Sequence, residues 1–454
     1  MINLKNNSLN IIGYVKTAFL ALSVIVGLGL LTHGCGGRTG APSAVSMSSA
    51  QRFARTLESF RVEKHAPLAL RRGEISLFAA VFDFVERDYV QSVDAQTLLN
   101  EAMLAVSDDY DDLTNVTNLM LVETAARGMM SSLDPYSSYL DKEAFVALNQ
   151  ETQGNFGGLG IEVSMEDGRL KIVTPLDDTP ALRAGLEAGD IITHADGVEI
   201  VDMSLREAVK LLRGDVGTAV RLGLMREGKA AFEREVTREI IHIHAVRSHL
   251  EGDVGYIRLT SFVSNVSVEI TQAIEALQKE AGAGKLAGIV LDLRNNPGGL
   301  LSEAVSVSDV FLPAGDVVST RGRQDNHIYR STDGDIGEDI PLIVMINGGS
   351  ASASEIVAGA VRDRNRGVLL GAKSYGKGSV QTIFPLTSRR GVKLTTARYF
   401  TPSGTTVDGG IEPHELLDND PEKEGDEQLK RALSLIIEMS GGPTVFWNNG
   451  LEKN

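Results

Sequence analysis

At 454 residues the chain exceeds what one hydrophobic core supports, since single cores stop growing near roughly 250–300 residues, so two or three folded units are expected. Hydrophobic content of 43% with 23% charged residues excludes fibrous and mainly disordered chains. A formal net charge of −16 excludes nucleic acid as a partner, which needs clustered positive charge, and restricts any membrane contact to the N-terminal segment. The single cysteine, Cys35, excludes an intrachain disulfide and a cysteine-built zinc site.

Lys5 and Lys16 precede an apolar run over 18–31, which ends in Thr32-His33-Gly34-Cys35. This is the basic start and short apolar stretch of an export signal over 1–35. A cleaved signal, a lipoprotein signal with Cys35 acylated, and an anchor extended back through 11–15 are all compatible with it. Each puts the rest of the chain outside the cytoplasm, in the periplasm or on the envelope of a bacterium. The next segment, 36–69, opens rich in Gly, Ser, Pro and Ala and reads as a tether.

Apolar residues then recur at helical spacing, through Leu77, Val81, Phe84 and Val85 and again through Leu98, Leu99, Met103 and Leu104, predicting a helical segment over 70–150. Its turn is Leu133-Asp134-Pro135-Tyr136-Ser137-Ser138-Tyr139-Leu140, where Pro135 disfavours a helical Asp134. From 154 to 238 the pattern changes to short strands. Gly158-Leu159-Gly160-Ile161 leads the first, Asp178-Thr179-Pro180-Ala181 starts a short helix that Gly185 ends, and Ser204-Leu205-Arg206-Glu207 is a capping box opening a second helix. In this order, with Ala184-Gly185-Leu186 and Gly189-Asp190, they resemble a circularly permuted PDZ domain of the bacterial type. Over 239–417 strands alternate with helices: 254–259 and 288–293 flank a helix over 264–279, and 342–346 and 367–370 flank one over 354–363. This predicts an α/β core with much parallel pairing, followed by an acidic tail with a short helix over 418–454.

The run Asn347-Gly348-Gly349-Ser350-Ala351-Ser352-Ala353-Ser354-Glu355-Ile356 puts hydroxyls at one strand-to-helix turn, where the helix dipole and free N–H groups favour an oxyanion. A serine there needs a base, and a lysine serves if burial lowers its pKa. Lys377, in Ser374-Tyr375-Gly376-Lys377-Gly378-Ser379-Val380-Gln381, has flanking glycines that allow close approach. If that segment is extended, Lys377 and Gln381 project from one side. The residues alone leave Ser350 and Ser354 as rivals to Ser352, and Ser352 with Glu355 also reads as a helix cap. His242 and His244 share a strand face, but His249 breaks the alternation and no cysteine completes a ligand set, so no metal site is assigned. Neither His327 nor His414 sits in a recognisable triad motif.

Three segments settle the weighting: Asp292-Leu293-Arg294-Asn295-Asn296-Pro297-Gly298-Gly299, the run 347–355, and Gly376-Lys377-Gly378-Ser379-Val380-Gln381. They resemble, in register, the signatures of the carboxyl-terminal processing peptidases of the S41 family, and the likeness runs over about residues 70–417. The resemblance implies an α/β fold: a crotonase-like (ClpP-like) core with an inserted PDZ-like β domain and an N-terminal helical segment. It further implies that Ser352 is the nucleophile, Lys377 its general base and Gln381 a support for the lysine. The N–H groups of Ala353 and Gly298, the latter favoured over Gly299, would form the oxyanion hole. Backbone N–H groups of Gly158, Leu159, Gly160 and Ile161 are candidates to bind a peptide carboxylate, although Leu159 and Ile161 fit core positions equally well. The expected activity is a serine endopeptidase, without cofactor, cutting exported proteins at or near their C-terminal regions. Its partners would be protein or peptide substrates with free C-termini, with a second copy of the chain or an adaptor protein left open. The alternative is a non-catalytic PDZ scaffold at the cell envelope.

Overall fold

A computed structural model describes residues 42–64, 70–166, 168–176, 178–242, 245–282, 286–332, 340–386, 389–418 and 425–441. The export-signal segment lies outside the described residues, as do His244 and most of the acidic tract after 418. Among the described residues no helix is long and apolar enough to cross a membrane.

One compact unit comprises residues up to 87 together with 93–132. It contains the helices Ala44–Glu63, Ala95–Asp109 and Asn118–Ser131 and most of Arg72–Asp88. The first of these corrects the expectation of a tether over 36–69: Phe53, Ala54 and Leu57 recur at helical spacing and are buried. Three start where a side-chain oxygen of Ser43, Asp94 or Thr117 accepts an N–H of the first turn, replacing a bond the helix cannot supply itself. Their apolar stripes meet in a core where the rings of Phe53 and Phe78 stack at 3.9 Å. Gly128 allows a close approach to the helix Ala95–Asp109: a Cβ there would come within 2.3 Å of Ala105 Cβ.

The second unit comprises 88–92 and 133–454. Its central sheet has six strands in the order Val246–Glu251, Val254–Leu259, Gly288–Asp292, Leu342–Ile346, Val368–Gly371, Glu415–Leu416. The first pair is antiparallel and the rest are parallel. Along Leu342–Ile346 alternate residues serve two cores. Leu342, Val344 and Ile346 pack with Ile270, Ile274, Ile356 and Val357 of the helices on one face. Ile343 and Met345 pack with Ala432, Leu435 and Ile436 of the helix Glu427–Gly441 on the other. Burial on both faces is why this strand reads as an unbroken apolar run. The segment expected to be an acidic tail with a short helix therefore carries a 15-residue helix that closes the second face of the sheet.

A second, five-stranded antiparallel sheet contains Ser138–Leu140, Gly315–Gly322, Asn326–Ser331, Ser379–Leu386 and Arg390–Phe400. The PDZ-like sheet is built from Ile161–Glu166, Arg169–Pro175, Ile191–Ala195, Val198–Glu199, Ala219–Met225 and Phe232–Thr237, with Ile161–Glu166 at an edge. Its core holds Leu159, Leu170, Ile172, Ile192, Leu222 and Val236. The capping box forms: Ser204 N–H donates to Glu207 at 2.9 Å, and Glu207 N–H returns to Ser204 Oγ at 3.3 Å. A ribbon of Asn155–Gly158 with Glu239–His242 pairs the two ends of the insertion, so the PDZ-like module leaves and rejoins the core at one place.

Candidate active site

The strand Leu342–Ile346 ends in the turn 347–352, and the helix Ala353–Asp363 begins immediately after it. Ser350 and Ser354, the rival hydroxyls, are fully buried, and each donates to a carbonyl of the facing turn: Ser350 Oγ to Leu293 O at 2.8 Å, Ser354 Oγ to Asn296 O at 2.9 Å. They tie the two turns together. Asn347 adds to this, its Oδ1 accepting from Asn295 N at 2.8 Å and its Nδ2 donating to Asn295 Oδ1 at 2.9 Å. Ser352 is different. It is 8% exposed and adopts φ 53°, ψ −110°, a backbone conformation that a non-glycine residue holds only when its surroundings enforce it. Its carbonyl accepts from Glu355 N at 2.9 Å and Ile356 N at 3.0 Å, opening the helix. Next to it, Ala353 N–H meets no acceptor among the described residues.

Gly298 abuts this turn with φ +101°, and a Cβ there would stand 2.7 Å from Ala351 O and 2.9 Å from both Ala353 N and Ser352 Cβ. Only glycine fits both the space and the backbone angle. Its N–H donates to Asn296 Oδ1 at 2.9 Å, so of the two donors expected for an oxyanion hole one is free and the other is shared with a side-chain amide.

Glu355, fully buried, is the residue that joins the nucleophile turn to the lysine turn. Oε2 accepts from Ser352 N at 2.7 Å and Lys377 N at 2.9 Å, while Oε1 accepts from Ser374 Oγ and Gly376 N, both at 2.6 Å. The sequence supplied a cap at this position; the three bonds to residues 374–377 came from tertiary proximity. Lys377 is half-buried, and burial lowers its pKa, as does the charge of Lys393, while Glu355 opposes them. Its ammonium lies 5.0 Å from the centre of the Tyr136 ring. Among the described residues no hydrogen bond joins Nζ to Ser352 Oγ or to Gln381.

Gln381 lies on the strand Ser379–Leu386, which begins two residues after Lys377. Its Nε2 donates to Ser379 Oγ at 2.9 Å and reaches Thr395 Oγ1 at 3.5 Å. Tyr399, which sequence reasoning passed over, is buried beside the Ser352 hydroxyl; burial pushes its phenol well above the usual range, and its N–H donates to Gly378 O at 2.8 Å. Asp134 was also missed. It accepts from Tyr136 N at 2.7 Å, Ser137 N at 2.9 Å, Ser137 Oγ at 2.7 Å and Thr395 Oγ1 at 3.2 Å, so the Asp-Pro turn is fastened to the strand Arg390–Phe400. Only the first three partners are local enough to be suggested by sequence.

On the opposite side of the Asn-Pro-Gly-Gly turn, fully buried Asp292 accepts from Tyr256 at 2.7 Å and pairs with Arg258 at 2.9 Å and Arg294 at 2.6 Å. Burial would raise its pKa, but the hydrogen bonds and charge of Arg294 outweigh this and keep it low. Arg294 also pairs with Asp426 at 2.6 Å. A cavity of about 450 Å³ opens there beside Arg258, Arg294, Asn295 and Asn347; Ser352 and Lys377 do not line it. Among the described residues no cluster of three metal-ligating side chains occurs.

In the PDZ-like module, the N–H groups of Leu159 and Gly160 bond to no acceptor among the described residues, and the strand Ile161–Glu166 that follows has one unpaired edge. The Leu159 side chain is 3% exposed and packs in the module's core. Leu159→Ala is therefore expected to destabilise the module by about 2–4 kcal/mol, read from urea unfolding of the full chain. Weaker peptide binding at undiminished stability would instead assign the side chain to a binding groove.

A model of "Peptidase family S41" matches residues 253–417, and a "PDZ domain" model matches 157–232. The chain is 49% identical over 308 residues to a carboxy-terminal-processing protease of Bartonella bacilliformis, covering 67% of this chain and 71% of that one. It is 36% identical over 338 residues to a carboxyl-terminal-processing protease of Synechocystis, covering 71% and 78%. A solved photosystem II D1 C-terminal processing protease is similar at 30% identity with a TM-score of 0.49, over 80% of this chain and 98% of that one.

Proposed function

We propose, from the premise that this chain belongs to the S41 carboxyl-terminal processing proteases, that it is a Ser-Lys endopeptidase whose PDZ domain captures the free C-terminus of exported substrates. The family assignment makes it a C-terminal-processing serine protease. The observation that carries the finer reading is the Glu355 carboxylate, which bonds to the backbone of both Ser352 and Lys377 and so couples nucleophile and base. Neutral Lys377 takes the proton of Ser352 Oγ as that oxygen attacks the scissile carbonyl carbon. The oxyanion is received by Ala353 N–H and, once its bond to Asn296 is shared, by Gly298 N–H. As the C–N bond breaks, the Lys377 ammonium returns its proton to the leaving amine. Water, deprotonated by Lys377, then attacks the Ser352 ester, and as its C–O bond breaks the Lys377 ammonium returns that proton to Ser352 Oγ. Gln381 supports this chemistry by steadying the lysine turn through Ser379 rather than by touching the amine.

Substrate capture uses the free N–H groups of Leu159 and Gly160 for the carboxylate, while the peptide adds as a strand to the edge Ile161–Glu166. The basic and apolar pattern over 1–35 supports an exported protein, held at the envelope or released from it.

The test compares one unfolded protein substrate with a free and with an amidated C-terminus, following fragments by intact mass. Amidation is expected to raise KM about tenfold with kcat unchanged, because a charge-assisted contact is lost. First cuts should map near the C-terminus. Equal KM for both substrates would refute carboxylate capture, and no cleavage of either would favour the scaffold.

A further inference from the structure

The motif Leu133-Asp134-Pro135-Tyr136-Ser137 has so far been given no part in the chemistry, yet its tyrosine is the aromatic group facing the lysine. We propose that Tyr136 is a positioning residue for Lys377, its ring face holding the amine in place and favouring its protonated form. The proposal rests on Lys377 being the general base.

Four observations carry it. The Nζ-to-centroid distance of 5.0 Å is within the range of a cation–π contact, in which the negative face of the ring attracts an ammonium. The ring is not on a loose loop: Asp134 draws in the N–H groups of Tyr136 and Ser137 at 2.7 and 2.9 Å, and its Oδ1 accepts from Thr395 Oγ1 at 3.2 Å. Thr395 N–H in turn donates to Ser137 Oγ at 3.1 Å, so the turn and the strand Arg390–Phe400 bond in both directions. Finally, Lys377 Nζ makes no hydrogen bond among the described residues, so the ring is what orients it.

Besides the ring and burial, two charged groups influence the amine. Lys393, on the strand Arg390–Phe400, disfavours its charge, and Glu355, on the helix Ala353–Asp363, favours it. Tyr375, two residues away, lies beside the Tyr136 phenol. Burial, then Tyr375, raises the Tyr136 pKa, so the ring presents a neutral face across the working pH range. Tyr136 thus acts in the same direction as Glu355 and against Lys393 and burial. It keeps the base from losing its charge so far that the amine could no longer return a proton to the leaving group.

The sign separates this role from mere packing. Tyr136→Leu keeps an apolar cover over the amine but removes the ring face, so the neutral amine is favoured and the acid limb of kcat/KM moves to lower pH by about 0.5–1 unit. Tyr136→Phe keeps the ring, and its limb should stay within about 0.2 unit of wild type. If the residue only excludes water, Tyr136→Leu lets solvent in and moves the limb upward. The same titration is read directly, without turnover, from the ε-carbon resonance of labelled Lys377 in full-length Ser352→Ala protein, assigned by its loss in Lys377→Arg. A lower midpoint of that titration for Leu but not Phe supports the proposal. An unmoved or raised midpoint, or an equal change for Phe and Leu, overturns it. Should the midpoint fall as expected while Lys377→Ala still cleaves, the Ser-Lys reading fails and the contact stands.

Discussion

Ser352→Ala and Lys377→Ala are each expected to lower the rate of cleavage of an unfolded protein by about 10⁴-fold or more, with binding of a C-terminal peptide unchanged. The size of the effect follows from the two residues acting as one unit: without the base the hydroxyl is a weak nucleophile, and without the hydroxyl the base has nothing to activate. The separation from binding follows from the chain, because the PDZ-like module has its own core and its own edge strand. The rate for wild type should also rise with pH along a limb lying below the ordinary lysine range, because burial and Lys393 favour the neutral amine. Intact mass spectrometry and a peptide-binding titration on the same three proteins check both halves. Equal cleavage by all three would remove Ser352 and Lys377 from the mechanism, and loss of peptide binding in Ser352→Ala would show that the two modules are not separable.

Glu355→Gln should lower kcat by about 10²–10³-fold and cost about 3–5 kcal/mol of stability. The carboxylate accepts four bonds, from Ser352 N, Lys377 N, Gly376 N and Ser374 Oγ. An amide has one accepting oxygen, so its NH₂ would face two donors at a fully buried position. Those two contacts turn from attractive to repulsive, and the Ser352 and Lys377 turns lose their common anchor. Because Glu355 favours the lysine's charge, the acid limb should move to lower pH in any residual activity. Urea unfolding and steady-state kinetics read the two effects; a variant with normal kcat and normal stability would show that the bridge is dispensable.

Sequence reasoning reached the main elements of this protein because most of them are governed locally. The helices that begin at Asp94 and Thr117 fall within the segment read as helical, and the capping box at Ser204 and Glu207 formed as its spacing implied, whereas the helix Ala44–Glu63 escaped because the composition around its start reads as a tether. The central strands were legible because burial on both faces leaves unbroken apolar runs. Ser352 and Lys377 were identified through three family-like segments rather than through any contact that spacing could prove.

What escaped was everything that depends on two distant segments meeting. Glu355 read as a cap because Ser352 lies three residues before it, whereas its partners at 374–377 are brought to it by the packing of the sheet. The partners of the Gln381 amide, Ser379 Oγ and Thr395 Oγ1, were likewise not legible, since Thr395 is brought to it only by strand pairing. Tyr136 stands over Lys377 only because Asp134 is fastened to Thr395, more than 250 positions on. The 427–441 helix looked like part of an acidic tail because its apolar stripe has no partner nearby in sequence. The amino-acid sequence by itself thus determined the elements, their order, the two glycine-framed turns and the residue types the chemistry needs, since these follow from propensity, capping and periodicity within a few residues. Only the tertiary structure decided which carboxylate spans the site, which ring faces the base and what covers the sheet, since those contacts exist only once the chain has closed on itself.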